Sequence, residues 1–289
     1  MRLLMISVLA LFAINAGAQS NILKVKGKVI SENGMPVAFV NIGIFNKNIG
    51  TVSTAEGSFE IDIPGLYTKE KVIFSCIGYE SNEYAVDSLS RLIRKNSGII
   101  KMKEKILVLE EVTVKAKKSR TVLEGSKTES TRLTAGFPSY KYLGSEIGIG
   151  VNVRAKKNTI ASLEEFSFFV ASTVPDDTVI MRLNIYKLDN KKLPDKLMLR
   201  EDVILTVPNR KGWVKTDLTP YKLYTESDFV ITLEWINYSL KNSKIRFSSS
   251  FPYTGKIYFR LASQGKWWTP MGGPIGFNVK LSYYPRERL

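Results

Sequence analysis

Short runs of alternating apolar and polar residues, each ended by turn residues, constrain this chain more than any other feature. In the run 23–29, Leu23, Val25 and Val29 share one side, and three lysines occupy the other. A period of two indicates a half-buried β-strand, because successive side chains of a strand point to opposite faces. Short strands at close spacing, with turn signals between them, predict a β-sandwich.

The stretch Gly50–Pro64, GTVSTAEGSFEIDIP, predicts a hairpin. Its turn is centred on residues 55–57, where Gly57 supplies the positive φ that a tight turn requires. Further runs extend the same pattern over the first hundred residues. We predict strands at 71–77 and 99–105, and one or two helical turns at 87–93 capped by Asp87.

Four blocks of this region resemble the carboxypeptidase-regulatory-like (transthyretin-like) domain: residues 25–29, 34–42, 50–59 and 74–79. The resemblance covers residues 21–105 and implies a seven-stranded β-sandwich. It also implies an exported envelope protein of a Gram-negative bacterium of the Bacteroides type, where such domains often precede outer-membrane TonB-dependent receptors. Thr54 replaces the acidic residue that is usual in the central turn, which weakens the idea of a metal there.

The rest of the chain continues the β pattern. Residues 106–135 predict a strand and a polar, basic linker, and residues 136–289 predict a second β-sandwich. Arg182–Tyr186 and Gly212–Leu218 loosely resemble jelly-roll carbohydrate-binding and galactose-binding-like modules. The expected fold class is therefore all-β: an N-terminal seven-stranded transthyretin-like sandwich followed by a C-terminal jelly-roll-like sandwich. The predicted strands lie at 147–153, 165–170, 179–188, 203–207, 212–217, 229–236, 245–251, 256–262 and 275–284.

The first eighteen residues predict the compartment. Arg2 precedes a short apolar core, and Ala16-Gly17-Ala18 offers the small residues that a signal peptidase reads, so residues 1–18 are typical of a secretory signal peptide. No later apolar run is long enough to predict a transmembrane span. We therefore expect an exported protein of the periplasm, the outer membrane or the cell surface of a Gram-negative bacterium.

Charge and composition restrict the classes of partner and reaction. The formal net charge is +15, which in a cytosolic protein would suggest nucleic acid, but export makes anionic envelope surfaces or acidic glycans better candidates. Cys76 is the single cysteine and histidine is absent, so an intrachain disulfide and the commonest general base are both excluded. The sequence predicts no cofactor, no metal site and no catalytic residues.

Exposed aromatic side chains are the candidate ligand-binding residues, because the apolar face of a sugar ring stacks on an aromatic ring. We name Trp267, Trp268, Trp213 and Tyr253 as candidates. Neighbouring residues of a strand point to opposite faces, so one of Trp267 and Trp268 is expected to be exposed. Trp235 shares the face of Phe229, Ile231 and Leu233 and is predicted to lie in the core.

These observations favour a non-catalytic exported envelope protein whose β-sandwiches bind a glycan or a surface partner. A structural or assembly role in an outer-membrane complex of the TonB-dependent type is the alternative. A glycan hydrolase that uses carboxylates alone is the third possibility, because folding can bring distant acidic residues together.

Overall fold

The computed structural model describes residues 22–105, 120–137, 143–153, 159–172, 179–237, 245–252 and 255–285. The predicted signal peptide (1–18) and the candidate Tyr253 lie outside these residues. Within them the chain is all-β, with one α-helix of ten residues. None of the helices in the described part is long and apolar enough to cross a bilayer.

The first seven strands form the N-terminal sandwich, as the sequence predicts. One sheet has the order β4-β1-β7 and the other the order β3-β2-β5-β6. Phe59, Ile61 and Ile63 are buried in its core, and Gly57 has a φ of 79° in the predicted turn. The strands are β1 (Ile22–Ser31), β2 (Asn41–Ile44), β3 (Gly50–Val52), β4 (Ser58–Pro64), β5 (Lys71–Ser75), β6 (Asn82–Ala85) and β7 (Ile99–Met102).

The helix α1 (Val86–Lys95) is longer than predicted and begins one residue earlier. Its N-cap is Ala85, so Asp87 lies in the first turn rather than at the cap. A carboxylate there still interacts favourably with the free N–H groups of the helix start. Leu89 and Ile93 are buried, and their spacing of four residues places them on one helix face.

The C-terminal sandwich consists of two antiparallel sheets. The first has the order β13-β12-β17-β10-β19-β20, with β14 also on β12; the second has the order β8-β21-β11-β18-β9, with β15 and β16 also on β11. The strands are β8 (Arg120–Gly125), β9 (Thr134–Gly136), β10 (Glu146–Val151), β11 (Thr159–Ser172), β12 (Val179–Leu188), β13 (Pro194–Leu197), β14 (Val203–Val207), β15 (Gly212–Asp217), β16 (Tyr224–Thr225), β17 (Phe229–Trp235), β18 (Arg246–Ser248), β19 (Gly255–Arg260), β20 (Met271–Gly272) and β21 (Phe277–Pro285).

The segment 106–135 does more than connect the two sandwiches. Its residues 120–125 form β8, which pairs with β21, and Thr134 begins β9, which pairs with β18. The polar composition that indicates a linker also suits an edge strand, because an edge strand has one side in solvent.

Apolar residues of the two sheets meet in one core. The rings of Phe166, Phe168, Phe247 and Phe277 pack with centroids 4.9 to 6.1 Å apart; Phe166 and Phe168 are tilted, and the other contacts are edge to face. Trp235 is only 4% exposed, so the prediction that it belongs to the core is confirmed.

Candidate functional site

The first sheet of the C-terminal sandwich carries a row of four charged residues across its outer face. Arg182 on β12 lies opposite Glu234 on β17, Glu234 lies opposite Glu146 on β10, and Glu146 lies opposite Arg260 on β19. We call these four residues the charged row. Each is buried to more than nine-tenths, with Arg260 the most exposed at 8%. Burial of four charges is costly unless each is paired, so their partners decide what the row can do.

Both carboxylates of the charged row are held by several donors. Arg182 Nε donates to Glu234 Oε2 at 2.9 Å, and Asn184 Nδ2 donates to the same oxygen at 2.8 Å. Arg260 Nη2 donates to Glu146 Oε1. Tyr186 donates to that oxygen at 3.1 Å, and Thr232 donates to Glu146 Oε2 at 2.5 Å. Arg182 and Arg260 thus donate from within the charged row. Asn184, Tyr186 and Thr232 lie two or four residues from the row along their strands, and therefore on the same face of the sheet.

The two glutamates have opposite pKa shifts. Burial raises the pKa of Glu146, and the neighbouring Glu234 raises it further, against the opposing effect of Arg260. Burial also acts to raise the pKa of Glu234, but the charges of Arg182 and Arg260 and two hydrogen bonds outweigh it and lower that pKa. Two like charges side by side resist joint ionisation, so Glu146 is the member of the pair that holds a proton more readily.

The N-terminal sandwich covers one end of the charged row. Arg182 Nη1 donates to the carbonyl oxygen of Phe39, and Nη2 donates to Asn41 Oδ1, both at 2.9 Å. A second contact joins Gln264 Nε2 to Ser75 Oγ at 2.8 Å. The guanidinium of Arg182 therefore connects β12 and β17 of one sandwich to β2 of the other. We call this outer face, which carries Arg182, Glu234, Glu146 and Arg260, the covered face.

Two glycines allow the sandwiches to approach closely. A Cβ atom on Gly43 or Gly50 would lie 2.4 or 2.2 Å from the carbonyl oxygen of Ser263, closer than real Cβ atoms come to any atom. Val52, which follows on the same strand, is part of the apolar core of the C-terminal sandwich. The junction is thus both hydrogen-bonded and packed.

A cleft of about 440 Å³ opens between the two sandwiches beside the charged row. We call it the interdomain cleft. Burial raises the pKa of the Cys76 thiol in its wall to about 12, so this cysteine is a weak nucleophile. The lining residues are Asn41, Ser75, Cys76, Ile77, Gly78, Tyr79, Ser81, Lys105, Arg182, Asn184, Tyr186, Asp195, Leu197, Leu199, Asp202, Arg260 and Gln264.

Trp267 and Trp268 lie beside β19 and point to opposite faces. Trp268 pairs with Phe259, which places Trp267 next to Arg260 on the covered face. The Arg260 guanidinium lies 5.0 Å from the centroid of the Trp267 ring, and the Tyr186 ring lies 5.6 Å from it. Trp268 is 46% exposed. Trp267 therefore packs beside Arg260 at one end of the charged row, whereas Trp268 is the exposed member of the pair.

Trp213 belongs to a different surface, the outer face of the second sheet. On this face β15 pairs with β11, and β11 pairs with β21. Trp213 Nε1 donates to Glu129 Oε1 at 2.6 Å, and its ring contacts Phe169 edge to face at 5.5 Å. Both contacts hold the indole in one orientation. We call this face, which carries Trp213, Lys215, Glu165 and Lys280, the open face.

A groove of about 570 Å³ runs along the open face. We call it the Trp213 groove. Ser167 and Asn278 are cross-strand partners with short side chains and form its floor, while Lys215 bonds Glu165 at 3.2 Å on its side. The groove combines an aromatic ring with hydroxyl, amide, carboxylate and ammonium groups. Its lining residues are Thr121, Val122, Leu123, Lys127, Glu129, Glu165, Ser167, Trp213, Lys215, Asn278 and Lys280.

The structure separates the three described candidates among three places: Trp213 in its groove, Trp267 on the covered face, and Trp268 at an exposed edge. Sequence reasoning missed the charged row. The signal was present in part, because Arg182 and Asn184 alternate with Met181, Leu183 and Ile185. What the sequence does not contain is the pairing of four distant strands that brings the charges side by side.

Residues 25–114 match the family model of the CarboxypepD_reg-like domain. The N-terminal sandwich, with its strands β1 to β7, is therefore similar to this regulatory-like domain. The C-terminal sandwich, with the charged row and the Trp213 groove, lies beyond the matched residues.

The remaining comparisons add no argument. A search of curated proteins finds no match to the chain. Among solved structures, one of infectious bursal disease virus, Gx strain, aligns at 9% identity with a TM-score of 0.29, over 91% of this chain and 64% of that chain. The chain thus spans less than two thirds of that protein, and so weak a likeness supports no conclusion.

Proposed function

We propose that this chain is an exported, non-catalytic protein of the bacterial envelope whose C-terminal sandwich binds a glycan. The observation that carries the proposal is the Trp213 groove. It places a fixed indole beside hydroxyl, amide and charged groups, and this is the mixture that a sugar ring needs. A pocket of this size with a few polar groups is typical of small-molecule sites in proteins.

The chemistry of the groove supports binding rather than turnover. Glu165 accepts hydrogen bonds from Lys215 and from Ser167, and Glu129 accepts one from Trp213. Carboxylates held in this way serve as fixed acceptors for hydroxyl groups of a ligand. The buried carboxylates of Glu146 and Glu234 are bonded to guanidinium groups, so their role is to stabilise the fold.

The envelope location is supported by the CarboxypepD_reg-like domain and by the predicted signal peptide. A basic chain of this kind suits a surface rich in anionic groups. In this proposal the N-terminal domain acts as a docking or spacer module, and it presents the open face of the second sandwich to solvent.

The proposal is tested by a glycan array followed by calorimetric titration of the best ligand. We expect Trp213→Ala to weaken binding at least about tenfold, which is about 1.4 kcal/mol. Trp213→Phe, which keeps a ring against Phe169 but loses the bond to Glu129, should weaken binding less. Trp268→Ala is the matched control, because it removes another exposed tryptophan at a different edge of the sandwich.

Two outcomes would contradict the proposal. Binding that survives Trp213→Ala but is lost in Trp268→Ala would move the glycan site away from the groove. Hydrolysis of the ligand by the wild-type protein, abolished by changing one glutamate, would identify an enzyme.

A second candidate function is docking to an outer-membrane protein complex. Phe45 and Leu66 of the N-terminal sandwich are 63% and 75% exposed. Lys47 bonds Glu70 at 3.7 Å and lies 5.6 Å from the Tyr67 ring, so the loops that carry the two apolar residues are neighbours. Co-purification with outer-membrane proteins that is lost in the Phe45→Ser, Leu66→Ser double variant, without glycan affinity in the wild type, would favour this role.

A further inference from the structure

The charged side chains of the groove on the open face indicate which class of glycan it binds, and this inference rests on the proposed function. Three lysines line the groove. Two of them are paired, because Lys215 Nζ lies 3.2 Å from Glu165 and Lys280 Nζ lies 3.7 Å from Glu164. An ammonium group that already faces a carboxylate gains less from an anionic ligand. The third lysine of the groove differs in this respect.

Lys127 lines the groove with an exposed side chain. It forms no salt bridge with any carboxylate of the residues that the structure describes. Glu129 is the carboxylate nearest to it along the chain, and this carboxylate accepts a hydrogen bond from Trp213 at 2.6 Å. The ammonium group of Lys127 is therefore the cationic group of the groove that an anionic ligand would meet first.

The backbone on both sides of Lys127 is anchored to the wall of the groove. The carbonyl oxygen of Ser126 accepts a hydrogen bond from Asn278 Nδ2 at 3.3 Å. On the other side, Thr128 Oγ1 donates to the carbonyl oxygen of Ser249 at 3.3 Å. The backbone position of Lys127 is thus fixed and only its side chain adjusts to a ligand, which keeps the ordering cost of binding low.

Lys127 is also close to the indole on which a sugar ring would stack. Glu129 is two residues further along the chain, so the Cα atoms of the two residues are at most about 7 Å apart. The Glu129 carboxylate itself contacts Trp213 Nε1, and both residues line the groove. A lysine carries its charge on a long, flexible stem. The ammonium group of Lys127 can therefore reach a sugar that covers the Trp213 ring.

We propose that the Trp213 groove binds an acidic glycan, in which one sugar stacks on Trp213 and the anionic group of that sugar or of its neighbour pairs with Lys127. The carboxylate of a uronic acid and a single sulfate ester both supply this charge. Glu129 and Glu165 also line the groove. They disfavour a ligand with several negative charges on one ring, because like charges repel at short distance.

The test titrates the full chain calorimetrically with trisaccharides of D-galacturonate, D-glucuronate, D-mannuronate and L-guluronate, each beside its neutral methyl ester. A galactose trisaccharide that carries one sulfate ester is compared with its unsulfated parent. We expect at least one acidic trisaccharide to bind with a Kd of about 1 mM or lower, and about two- to fivefold more tightly than its neutral partner. Whether a uronate or the sulfated trisaccharide shows this preference distinguishes the two sources of the charge.

Variants assign the preference to its group. Lys127→Gln should lower the ratio of acidic to neutral affinity about two- to fivefold through loss of one exposed ion pair, and Lys127→Glu should lower it further. Lys191→Glu is the matched control for the second change, because it alters the net charge equally. Lys191 is exposed and lies in the turn between β12 and β13 of the other sheet, so this variant should keep the ratio of the wild type.

The inference is overturned if every neutral trisaccharide binds as tightly as its acidic partner. It is equally overturned if Lys127→Glu keeps the preference for acids, or if Lys191→Glu lowers that preference as much. These results leave the proposed function intact where Trp213→Ala still weakens the binding of neutral glycans. If none of the glycans binds with a Kd below about 10 mM, the proposed function fails together with this inference.

Discussion

The two sheets of the C-terminal sandwich both carry polar residues on their outer faces, but only one of those faces is covered. On the covered face, Arg182 and Glu234 are 2% and 0% exposed. On the open face, the side chains of Lys215 and Glu165 are 63% and 32% exposed. The same alternation along the strands thus leads to a closed charge network in one sheet and to a solvent-facing groove in the other.

This difference shows that burial of a polar row is decided by its neighbours in three dimensions. The N-terminal sandwich and the 262–267 segment cover one row, and the ion pairs there lose most of their screening by water. The ion pairs of the open face remain in contact with solvent, where each contributes little. We therefore expect similar substitutions on the two faces to have different consequences.

The largest effect is expected for Arg182→Met. This change leaves the buried Glu234 without its guanidinium partner and removes two hydrogen bonds to the N-terminal sandwich, so the free energy of unfolding should fall by about 3–5 kcal/mol. Lys215→Met on the open face is the matched control and should change it by about 1 kcal/mol or less. Urea denaturation followed by tryptophan fluorescence measures both.

Equal effects of the two changes would contradict the comparison between the faces. A further variant separates charge burial from packing. If Arg182→Met with Glu234→Leu is more stable than Arg182→Met alone, the unpaired carboxylate is the main cause of the loss.

The fold was more readily predicted from the sequence than the site. The strands 179–188, 203–207 and 212–217 have the predicted bounds, because each is a continuous run between turn residues. The short strand β20 at Met271 was missed, because the Gly and Pro residues around it indicate a loop.

The site resisted prediction for a physical reason. Arg182, Glu234, Glu146 and Arg260 are up to 114 residues apart, and only the antiparallel registers of three strand pairs align them. Trp213 was named as a candidate on its own, but its partner Glu129 comes from the segment predicted as a linker. Sequence patterns report which face a residue occupies and not which distant strand lies beside it.

A second prediction concerns how the covered face is closed. Gly50→Ala would place a Cβ atom 2.2 Å from the Ser263 carbonyl oxygen, so the junction must shift. Overpacking of this kind costs about 1–3 kcal/mol. All four tryptophans belong to the C-terminal half of the chain. We therefore expect a lower free energy of unfolding and an altered native emission spectrum, reporting a change transmitted to the C-terminal sandwich.

The control for this change is Gly34→Ala, where a Cβ atom would meet nothing within 4 Å and only the positive φ of 81° is unfavourable. It should destabilise the N-terminal sandwich without altering native tryptophan emission. A Gly50→Ala protein with the stability and emission of the wild type would mean that the two sandwiches do not need the close approach.

The smallest predicted effect is a pH dependence that belongs to the covered face. The pKa of Glu146 is raised above its ordinary value of 4.5 in the folded chain. Between the unfolded and folded pKa values the folded state therefore binds more protons than the unfolded state. The stability from this group is complete below pH 4.5 and is lost as the pH rises through the folded pKa, with a slope of up to about 1.4 kcal/mol per pH unit.

Glu146→Gln should flatten this slope when the free energy of unfolding is measured from pH 5 to 9. Some slope should remain, because burial also raises the pKa of Asp202. Glu234, whose pKa is lowered, acts in the opposite direction and at lower pH, where its stabilising effect is lost on acidification.

The slopes are the quantity to compare, because Glu146→Gln also leaves Arg260 without its carboxylate. The same exchange on the open face, Glu165→Gln, shows whether the loss of any glutamate flattens the curve. If the free energy of unfolding varies with pH in the same way in the wild type and in Glu146→Gln, then Glu146 does not take up a proton on folding and the prediction is wrong.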